Sequence, residues 1–454
     1  MSTNQIAMDE MPLNKFHAKV FACCAGCPFM DGYVLGIIAV SLSVMNTQYQ
    51  MSTVMSGFIG MGTLLGMFIG SLFGGFITDR IGRKKMFFYD FLYITIVAVF
   101  QLFAPNLVTI AILRVLVGIG LGADYGIAGP YISEFSPKKS RGALVGALNA
   151  FWYIGYAISF IVGYFMLGIG DTSWKWMLAS SAVPSFLWIL ARASLPESPR
   201  WLLSQGRESE AMAILKKLGD NVVMSNDEDE EEVQKKPVFS DIFKNGNGKW
   251  VFFVAAFWSL QVLPTFGIGT YLPTIVEKLG FAEGNIQYLG SAIMNVFYLL
   301  GLIPIFFLMD RWGRKPTLLW AFLVSGLALL ILAITTGMNI ELSFPLMMTL
   351  FIIYGAFNTS MGAHDWVYPN EIFPTYIRGT AMGFITSMTR IVSAVGTFLF
   401  PTILAAWGLA ATLYICAGLF FVGVILTAVM APETKNMNLN EIAKLNGPKK
   451  AVNK

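Results

Sequence analysis

Two stretches of this chain decide its fold because they are nearly identical. Residues 79–84 read Asp-Arg-Ile-Gly-Arg-Lys, and residues 310–315 read Asp-Arg-Trp-Gly-Arg-Lys. A second motif follows each of them: residues 134–142 and 371–379 carry Glu, Pro, Arg and Gly at the same spacing. Each motif occurs once in each half of the chain, so the sequence predicts two similar halves joined end to end.

The composition of the chain is that of a membrane protein. Of its 454 residues, 56% are apolar and 13% are charged, and the mean hydropathy is +0.63. A soluble domain of ordinary composition contains about 25% charged residues. Twelve apolar stretches can cross a hydrocarbon core of about 30 Å, namely residues 17–45, 52–78, 86–104, 107–133, 143–168, 174–195, 250–276, 285–309, 316–337, 343–368, 379–405 and 410–431.

The basic residues predict the orientation of these segments. Lys and Arg are concentrated in the two termini and in the loops on the same side, and short loops rich in these residues stay in the cytoplasm. We therefore expect a multi-pass protein of the cell membrane with both termini cytoplasmic. The net charge of +4 reflects this topology and does not indicate nucleic-acid binding. Residues 1–16 contain acids and no cleavable-signal pattern, so the first segment is expected to remain uncleaved.

The predicted fold class is an all-α membrane protein with twelve helices in two pseudo-symmetric six-helix bundles. The bundles are assigned to residues 1–200 and 250–436. Residues 201–249 are expected to form a cytoplasmic linker, because they contain a polar and acidic run that cannot bury a core. Residues 437–454 are expected to form a short cytoplasmic tail.

Four motifs together give the chain a specific resemblance. They lie at residues 75–85, 114–120, 196–201 and 432–435 and extend over the whole chain. In this combination the chain resembles the major facilitator superfamily, and within it the sugar-porter and metabolite/phosphate–proton symporter branches. The resemblance implies transport by alternating access, in which two bundles rock around a central cavity.

The repeated charged motifs predict a latch. Acidic and basic residues at the cytoplasmic ends of neighbouring helices can form pairs that break when the bundles tilt. The alternative is that these charges serve only to orient the helices. The predicted latch residues are Asp79, Arg80, Arg83, Glu134, Arg141, Asp310, Arg311, Arg314, Glu371 and Arg378.

Ionisable residues inside the apolar segments indicate where function resides, since each costs at least about 2.5–3.5 kcal/mol to insert. Asp31, Asp124 and Arg390 all lie near mid-depth of their segments. Asp31 is the predicted proton carrier, because a carboxyl that changes environment can take up and release a proton. Resemblance to proton-coupled sugar porters pairs this acid with Arg114, although here the acid precedes the Gly-Tyr dipeptide instead of following it. A purely structural ion pair is the alternative.

Arg390 has three possible roles. A buried guanidinium is a planar partner for a carboxylate or phosphate, so it can bind an anionic substrate. It can also pair with a protein acid such as Asp124, or extend toward the membrane surface. The stretch around Asp124 and Tyr125 is similar to the Gly-Gly-Asp-Tyr of phosphate–proton symporters.

The same resemblance places further residues in the predicted substrate cavity. Asn149, Gln261 and Trp366 fall on substrate-binding positions of sugar porters, while two other amide positions of that family are occupied by Leu260 and Phe266. Fewer amides weaken the case for a sugar, which needs many hydrogen bonds. An aromatic cavity with one deep cation favours a small organic anion, and its predicted aromatic lining is Tyr33, Tyr125, Trp152, Phe266, Tyr271 and Trp366. Each of these rings can instead serve core packing.

Two other features belong to predicted cavity helices. His364 and Asp365 are adjacent, and a histidine beside an acid can tune proton release near neutral pH. A hydrogen-bonded packing role is the alternative for this histidine. Residues 264–273 contain two prolines and two glycines, which predict a bend in the seventh segment.

Other classes of protein find little support in the sequence. Cys23, Cys24 and Cys27 crowd one helical stretch without a second ligand cluster, so no metal site and no cofactor is expected. Nothing resembles a phosphate-binding loop or a catalytic triad, and no enzyme is predicted. A channel is the rival of another class. The duplicated motifs favour a monomeric transporter acting on a small molecule and a proton within the lipid bilayer.

Overall fold

The computed structural model describes residues 6–7, 10–218, 222–223, 239–244, 246–280, 286–373 and 375–435. The acidic run at residues 226–232 and the tail at 437–454 lie outside the described residues. The predictions about them therefore stay predictions.

Nearly all of the described backbone is helical. A two-residue parallel pair joins Ile6–Ala7 to Val222–Val223, and short 3-10 turns lie at Gln101–Phe103, Leu167–Ile169 and Phe239–Phe243. The helices are α1 Lys15–Cys24, α2 Gly26–Tyr49, α3 Thr53–Ile81, α4 Arg83–Phe100, α5 Leu107–Phe135, α6 Lys138–Met166, α7 Ser173–Ala179, α8 Ala182–Arg192, α9 Pro199–Ser204, α10 Glu208–Leu218, α11 Asn247–Thr270, α12 Leu272–Lys278, α13 Ile286–Trp312, α14 Arg314–Gly337, α15 Phe344–Ile372 and α16 Thr375–Met430.

Each of the twelve predicted segments falls on helix. Among the described residues, nine helices are long and apolar enough to cross a membrane. The smaller number has three structural reasons. The sixth segment is divided into α7 and α8, and α13 forms the eighth without being one of the nine. The last two segments run together as α16, which turns at Gly408 with φ 78°, a conformation that glycine adopts without strain.

The helices form two compact units. The first consists of residues 1–227 with 270–274 and 283–292, and the second of the remaining residues. In the first unit α3 packs along α5, and α2 packs along α6. In the second unit α14 packs on both α15 and α16. The bend predicted for the seventh segment corresponds to the break between α11 and α12 at Tyr271.

Local sequence explains where several helices begin. The Ser52 side chain accepts a hydrogen bond from the backbone N–H of Met55, and the Asn106 side chain accepts one from Thr109 at 2.9 Å. Such N-caps satisfy N–H groups that have no partner inside the helix. The caps therefore fix the first turns of α3 and α5.

Glycines allow α2 and α6 to approach backbone to backbone. A Cβ atom on Gly32 would collide with the carbonyl oxygen of Trp152, and one on Gly155 would collide with that of Phe29. Small residues at such positions let helices approach closely. This contact brings the residue before Gly32, which is Asp31, alongside the Trp152 turn of α6.

We expect Gly32→Ala to force α2 and α6 apart, because the added methyl group meets backbone that cannot rotate away. Overpacking of this kind costs about 1–3 kcal/mol. The measurement is the thermal unfolding midpoint of the purified protein in detergent. Gly418→Ala is the matched control, since a Cβ there meets nothing within 4 Å. Equal unfolding midpoints for the two variants would contradict this account of the packing.

Candidate functional site

Asp31 is the centre of the candidate site in the first unit. It lies on α2 and is 0% exposed. The hydroxyl of Tyr125 on α5 donates a hydrogen bond to its Oδ2 atom at 2.5 Å, and the indole N–H of Trp152 on α6 donates to the same atom at 3.0 Å. Three helices therefore converge on one buried carboxyl, which is held by at least two neutral donors.

The aromatic donors are themselves fixed by packing. Trp152 stacks on Tyr156, with ring centroids 5.0 Å apart and an interplanar angle of 14°. Asn149 lies one turn before Trp152 on α6 and is half-buried. Asn149 and Tyr125 are thus carried by helices that contact the carboxyl of Asp31.

Arg114, the predicted partner of Asp31, binds a backbone carbonyl oxygen. Its side chain is 1% exposed, and Nη2 donates to the carbonyl oxygen of Val34 at 3.0 Å. Among the described residues, no ion pair joins Arg114 to Asp31 in this conformation. The guanidinium nevertheless binds the backbone of α2 at Val34, three residues after Asp31.

Asp124 is not bound to Arg390. Its two carboxylate oxygens accept from Arg192 on α8, with Nη1 to Oδ1 at 3.0 Å and Nη2 to Oδ2 at 2.9 Å. Asp90 on α4 lies beside this pair, with Oδ2 3.7 Å from Nη1. All three groups are buried. The pairing of Asp124 with Arg390, one of the alternatives predicted for that arginine, is therefore corrected.

Asp90 and Arg192 were not among the site residues predicted from the sequence. Both lie inside predicted apolar segments, so the criterion applied to Asp31 would have found them. Arg192 stands near the end of its segment, where basic residues normally serve orientation, so its position alone does not indicate a site.

Tyr33 was predicted to line the substrate cavity. It is buried, and its hydroxyl hydrogen-bonds Ser180 beyond α7 at 2.7 Å.

The second unit holds a separate polar cluster around Gln261 on α11. The Nε2 atom of Gln261 donates to the carbonyl oxygen of Asn358 on α15 at 3.2 Å. The Thr265 hydroxyl lies 3.1 Å from the Asn358 side-chain oxygen. Among the described residues, the buried Oε1 atom of Gln261 accepts no hydrogen bond. The cluster therefore contains an acceptor for which the described part of the chain supplies no donor.

Trp366 and Arg390 lie in the same unit. Trp366 is half-buried and packs on Trp258, with ring centroids 6.4 Å apart. Arg390 is half-buried and acts electrostatically on Asp365, which is buried. Arg390 therefore has the carboxyl group of Asp365 as an electrostatic neighbour.

His364 is a fully buried residue of α15 with several polar neighbours. Its Nε2 atom lies 2.9 Å from the hydroxyl of Thr317 and 3.1 Å from the carbonyl oxygen of Arg314, and its Nδ1 atom lies 3.1 Å from the carbonyl oxygen of Ser360. These contacts join α15 to the first turn of α14. They favour the packing role that the sequence left open for this histidine.

The repeated motif builds a network at the start of α4 in the first unit. Arg83 lies 3.5 Å from Glu134. Glu197 accepts hydrogen bonds from the backbone N–H groups of Arg83 at 3.0 Å and Lys84 at 3.2 Å. Gly82 has φ 100°, and a Cβ atom there would lie 2.6 Å from Glu197. Only glycine fits this turn, so the motif requires it.

The second unit repeats this network at the start of α14. Arg314 lies 2.8 Å from Glu371, and Glu433 accepts the backbone N–H of Arg314 at 3.0 Å. The Thr434 hydroxyl also donates to Glu371. Gly313 has φ 97°, and a Cβ there would collide with Glu433. The two halves of the chain therefore use corresponding residues for corresponding contacts.

Fewer contacts are described for the remaining predicted latch residues. Arg80 and Arg311 are exposed, and Arg378 donates to the carbonyl oxygen of Phe373 at 3.2 Å. The side chains of Asp79, Arg141 and Asp310 lie outside the described residues. The ion pairs Arg83–Glu134 and Arg314–Glu371 each join helices of the same unit.

All four cysteines are buried as free thiols. No group of histidine, cysteine and acidic residues that could hold a metal ion occurs in the described part of the chain.

Long apolar helices that keep ionisable groups buried between them are typical of membrane transport proteins. The chain belongs to the family described as sugar (and other) transporter, whose model matches residues 19–445. This membership confirms the resemblance to the sugar-porter branch of the major facilitator superfamily. It also confirms that the chain is a transporter and not an enzyme.

Two relatives from Escherichia coli (strain K12) match almost the whole chain. The inner membrane metabolite transport protein YgcS is 36% identical over 441 residues, which cover 97% of this chain and 96% of the relative. The galactose-proton symporter is 29% identical over 447 residues, which cover 94% and 93%.

A solved structure supports the fold. The xylose transporter XylE from E. coli, in a partially occluded inward open conformation, matches with a TM-score of 0.78 and 22% identity. The match covers 93% of this chain and 99% of that chain. At this identity the likeness shows the fold alone, and it confirms the predicted major facilitator fold.

The Arg83–Glu134 pair predicts a pH dependence of stability. Burial raises the pKa of Glu134 above its usual range, while the Ser198 hydroxyl and Arg83 pull it down. The folded state therefore binds a proton more readily than the unfolded state, and stability from this group falls as pH rises through the raised pKa. We expect Glu134→Gln to unfold at a higher temperature than wild type above that pKa, and the difference to shrink at lower pH.

The measurement is the unfolding midpoint of both proteins across the acidic to neutral range. Glu341→Gln, at an exposed position between α14 and α15, should follow wild type throughout. A stability deficit of Glu134→Gln that grows as pH rises would show instead that the ion pair outweighs the cost of burial.

Proposed function

We propose that this chain is a secondary active transporter of the cell membrane that carries a small polar metabolite together with a proton by alternating access. The observation that carries the proposal is the buried carboxyl of Asp31, held by donors from α5 and α6. A carboxyl in this position can bind a proton where water reaches it from one side and release it to the other. The similarity to a galactose-proton symporter supports the coupling.

The contacts of Asp31 suggest how protonation is coupled to helix movement. An ionised carboxylate accepts strong hydrogen bonds from Tyr125 and Trp152. Protonation weakens these bonds and loosens α2 from α5 and α6. Arg114, bound to the Val34 carbonyl, can then exchange that partner for Asp31 in a second conformation. In this role Arg114 lowers the affinity of Asp31 for its proton and promotes release.

The repeated networks supply the latch of the proposed mechanism. The Arg83–Glu134 and Arg314–Glu371 pairs fix the helix ends of each six-helix bundle, assigned to residues 1–200 and 250–436. Rigid bundles are required for a rocking movement. The proposal places both termini and these networks on the cytoplasmic side, as the distribution of Lys and Arg indicates. One chain contains both bundles, so a monomer is the proposed functional unit.

A hydroxyl-bearing metabolite is the substrate class that the second unit supports best. The Oε1 atom of Gln261 is a buried acceptor without a donor among the described residues, and Thr265 and Asn358 lie next to it. A buried acceptor that finds a donor in the substrate gives selectivity for that donor. Trp366 supplies an aromatic surface in the same unit.

A small organic anion is the second candidate and the one that the sequence favoured. Arg390 supports it, since a half-buried guanidinium suits a carboxylate. An ionised Asp365 would compete with an anionic substrate for this guanidinium. Asp124 is not proposed as a substrate ligand, because Arg192 occupies both of its oxygens.

We expect Asp31→Asn to abolish accumulation of substrate driven by a pH gradient, because asparagine cannot bind and release a proton. Exchange of internal for external substrate should persist in part, since the helices can still move without net proton transfer. Both rates are measured with labelled substrate in proteoliposomes. Asp171→Asn, at an exposed position, is the matched control and should accumulate substrate like wild type.

Accumulation by Asp31→Asn at the wild-type level would remove Asp31 from the coupling mechanism. Stimulation of uptake by substrate on the opposite side distinguishes a transporter from a channel, because a pore shows none. Absence of such stimulation in wild type would favour the channel.

The substrate class is tested by thermal stabilisation. A ligand at 100 times its Kd stabilises the folded state by about 2.7 kcal/mol. We expect sugars, polyols or hydroxy acids to raise the unfolding midpoint, and Gln261→Ala to reduce the shift. If simple carboxylates are instead the ligands that stabilise the protein, Arg390→Ala should abolish the shift through a loss of about 1–3 kcal/mol of binding free energy. That result would make an organic anion the substrate in place of a hydroxylated one.

A further inference from the structure

A second cluster of buried ionisable groups lies in the first unit, apart from the Asp31 carboxyl. It consists of Asp90 on α4, Asp124 on α5 and Arg192 on α8, whose side chains are 1%, 0% and 1% exposed. We call it the Asp90–Asp124–Arg192 cluster. Nothing in the proposed transport mechanism uses it.

Three N–H donors of Arg192 are committed to groups other than Asp90. Its Nη1 and Nη2 atoms bind the two oxygens of Asp124, and Nε donates to the carbonyl oxygen of Cys23 at 3.1 Å. The guanidinium also lies over the rings of Phe87 and Phe91, at 4.2 and 3.8 Å from their centroids. Arg192 is therefore fixed in position, and both of its terminal nitrogens bind Asp124.

Asp90 accepts fewer hydrogen bonds than Asp124. Its Oδ1 atom accepts the backbone N–H of Phe91 at 2.7 Å. Its Oδ2 atom lies 3.7 Å from Nη1 of Arg192, beyond hydrogen-bond distance, and has no hydrogen-bond donor among the described residues. An ionised Asp90 would thus leave a buried negative oxygen without a donor.

The net charge of the cluster also favours a protonated Asp90. Two carboxylates and one guanidinium carry a net negative charge, and an uncompensated buried charge costs several kcal/mol. The charged groups that act on Asp90 from the neighbouring helices are Asp124 and Arg192. The cysteines on the other side of the cluster, Cys23 and Cys27, are thiols and supply no positive charge. Adjacent carboxyls in such a site retain one proton between them.

We propose that the Asp90–Asp124–Arg192 cluster is a second proton-binding site, which holds one proton at neutral pH on Asp90. The hydroxyl of the neutral Asp90 side chain donates to the carboxylate of Asp124, which stays paired with Arg192. The cluster then carries no net charge. The proton leaves Asp90 only when the packing of α4, α5 and α8 opens.

The two proton sites are joined through α5. Asp124, in the cluster, precedes Tyr125, whose hydroxyl holds Asp31. Cys27 contacts Asp124 and lies one helical turn before Asp31 on α2. A movement of α5 that releases Asp31 therefore also displaces the acceptor of the Asp90 proton. This link rests on the proposed function, whereas the proton on Asp90 does not.

Infrared difference spectroscopy of the purified protein tests the proposal. A neutral carboxylic acid has a carbonyl stretching band that a carboxylate lacks. We expect Asp90→Asn to lose one such band at neutral pH, because the side chain that carries the proton is gone. Asp171→Asn, at an exposed position, is the matched control and should lose none. Asp31→Asn reports separately on the transport site, so a failure there leaves the result for Asp90 unaffected.

The outcomes are distinct. Asparagine mimics a neutral aspartic acid, so Asp90→Asn should fold and should unfold at the wild-type temperature at neutral pH. At alkaline pH it should become the more stable protein, because only wild type can gain a second buried negative charge. An unchanged acid band in Asp90→Asn would overturn the proposal. So would a failure of that variant to fold, since it would show that the cluster needs the negative charge of Asp90.

Discussion

A carboxyl group buried among membrane-spanning helices must find donors or keep its proton, and this constraint organises the first unit. Asp31 accepts from Tyr125 and Trp152, and Asp124 accepts from Arg192. Consecutive residues of α5 take part in both networks. A displacement of this helix therefore acts on both carboxyls at once, and the proposed mechanism uses this link to couple proton binding to a change of conformation.

The internal repeat has a clear structural meaning. In each unit a glutamate accepts the first backbone N–H groups of a helix, Glu197 for α4 and Glu433 for α14. Gly82 and Gly313 supply the positive φ that lets the carboxylate approach. A negative group at a helix N-terminus is favourable because it satisfies N–H groups and complements the helix dipole. The duplicated motif therefore preserves a complete set of contacts rather than isolated charges.

The helices and the family could be predicted from the sequence, because segment length, hydropathy and motif spacing are properties of the chain itself. The hydrogen-bond and ion-pair partners of the side chains could not be predicted in this way. The pairing of Asp124 with Arg192 depends on how three helices are rotated about their axes, and so does the burial of Tyr33 against Ser180. Asp90 could have been predicted from the sequence, since an acid in an apolar segment is the same signal that identified Asp31.

The proposed mechanism requires the chain to move its substrate and a proton together. Substrate flux and the internal pH of proteoliposomes can be followed at the same time, with the substrate gradient as the only driving force. We expect protons to enter with the substrate, so that the interior becomes more acidic in proportion to uptake. Substrate entry without any change of internal pH would contradict this mechanism and would leave a facilitator that carries its substrate alone.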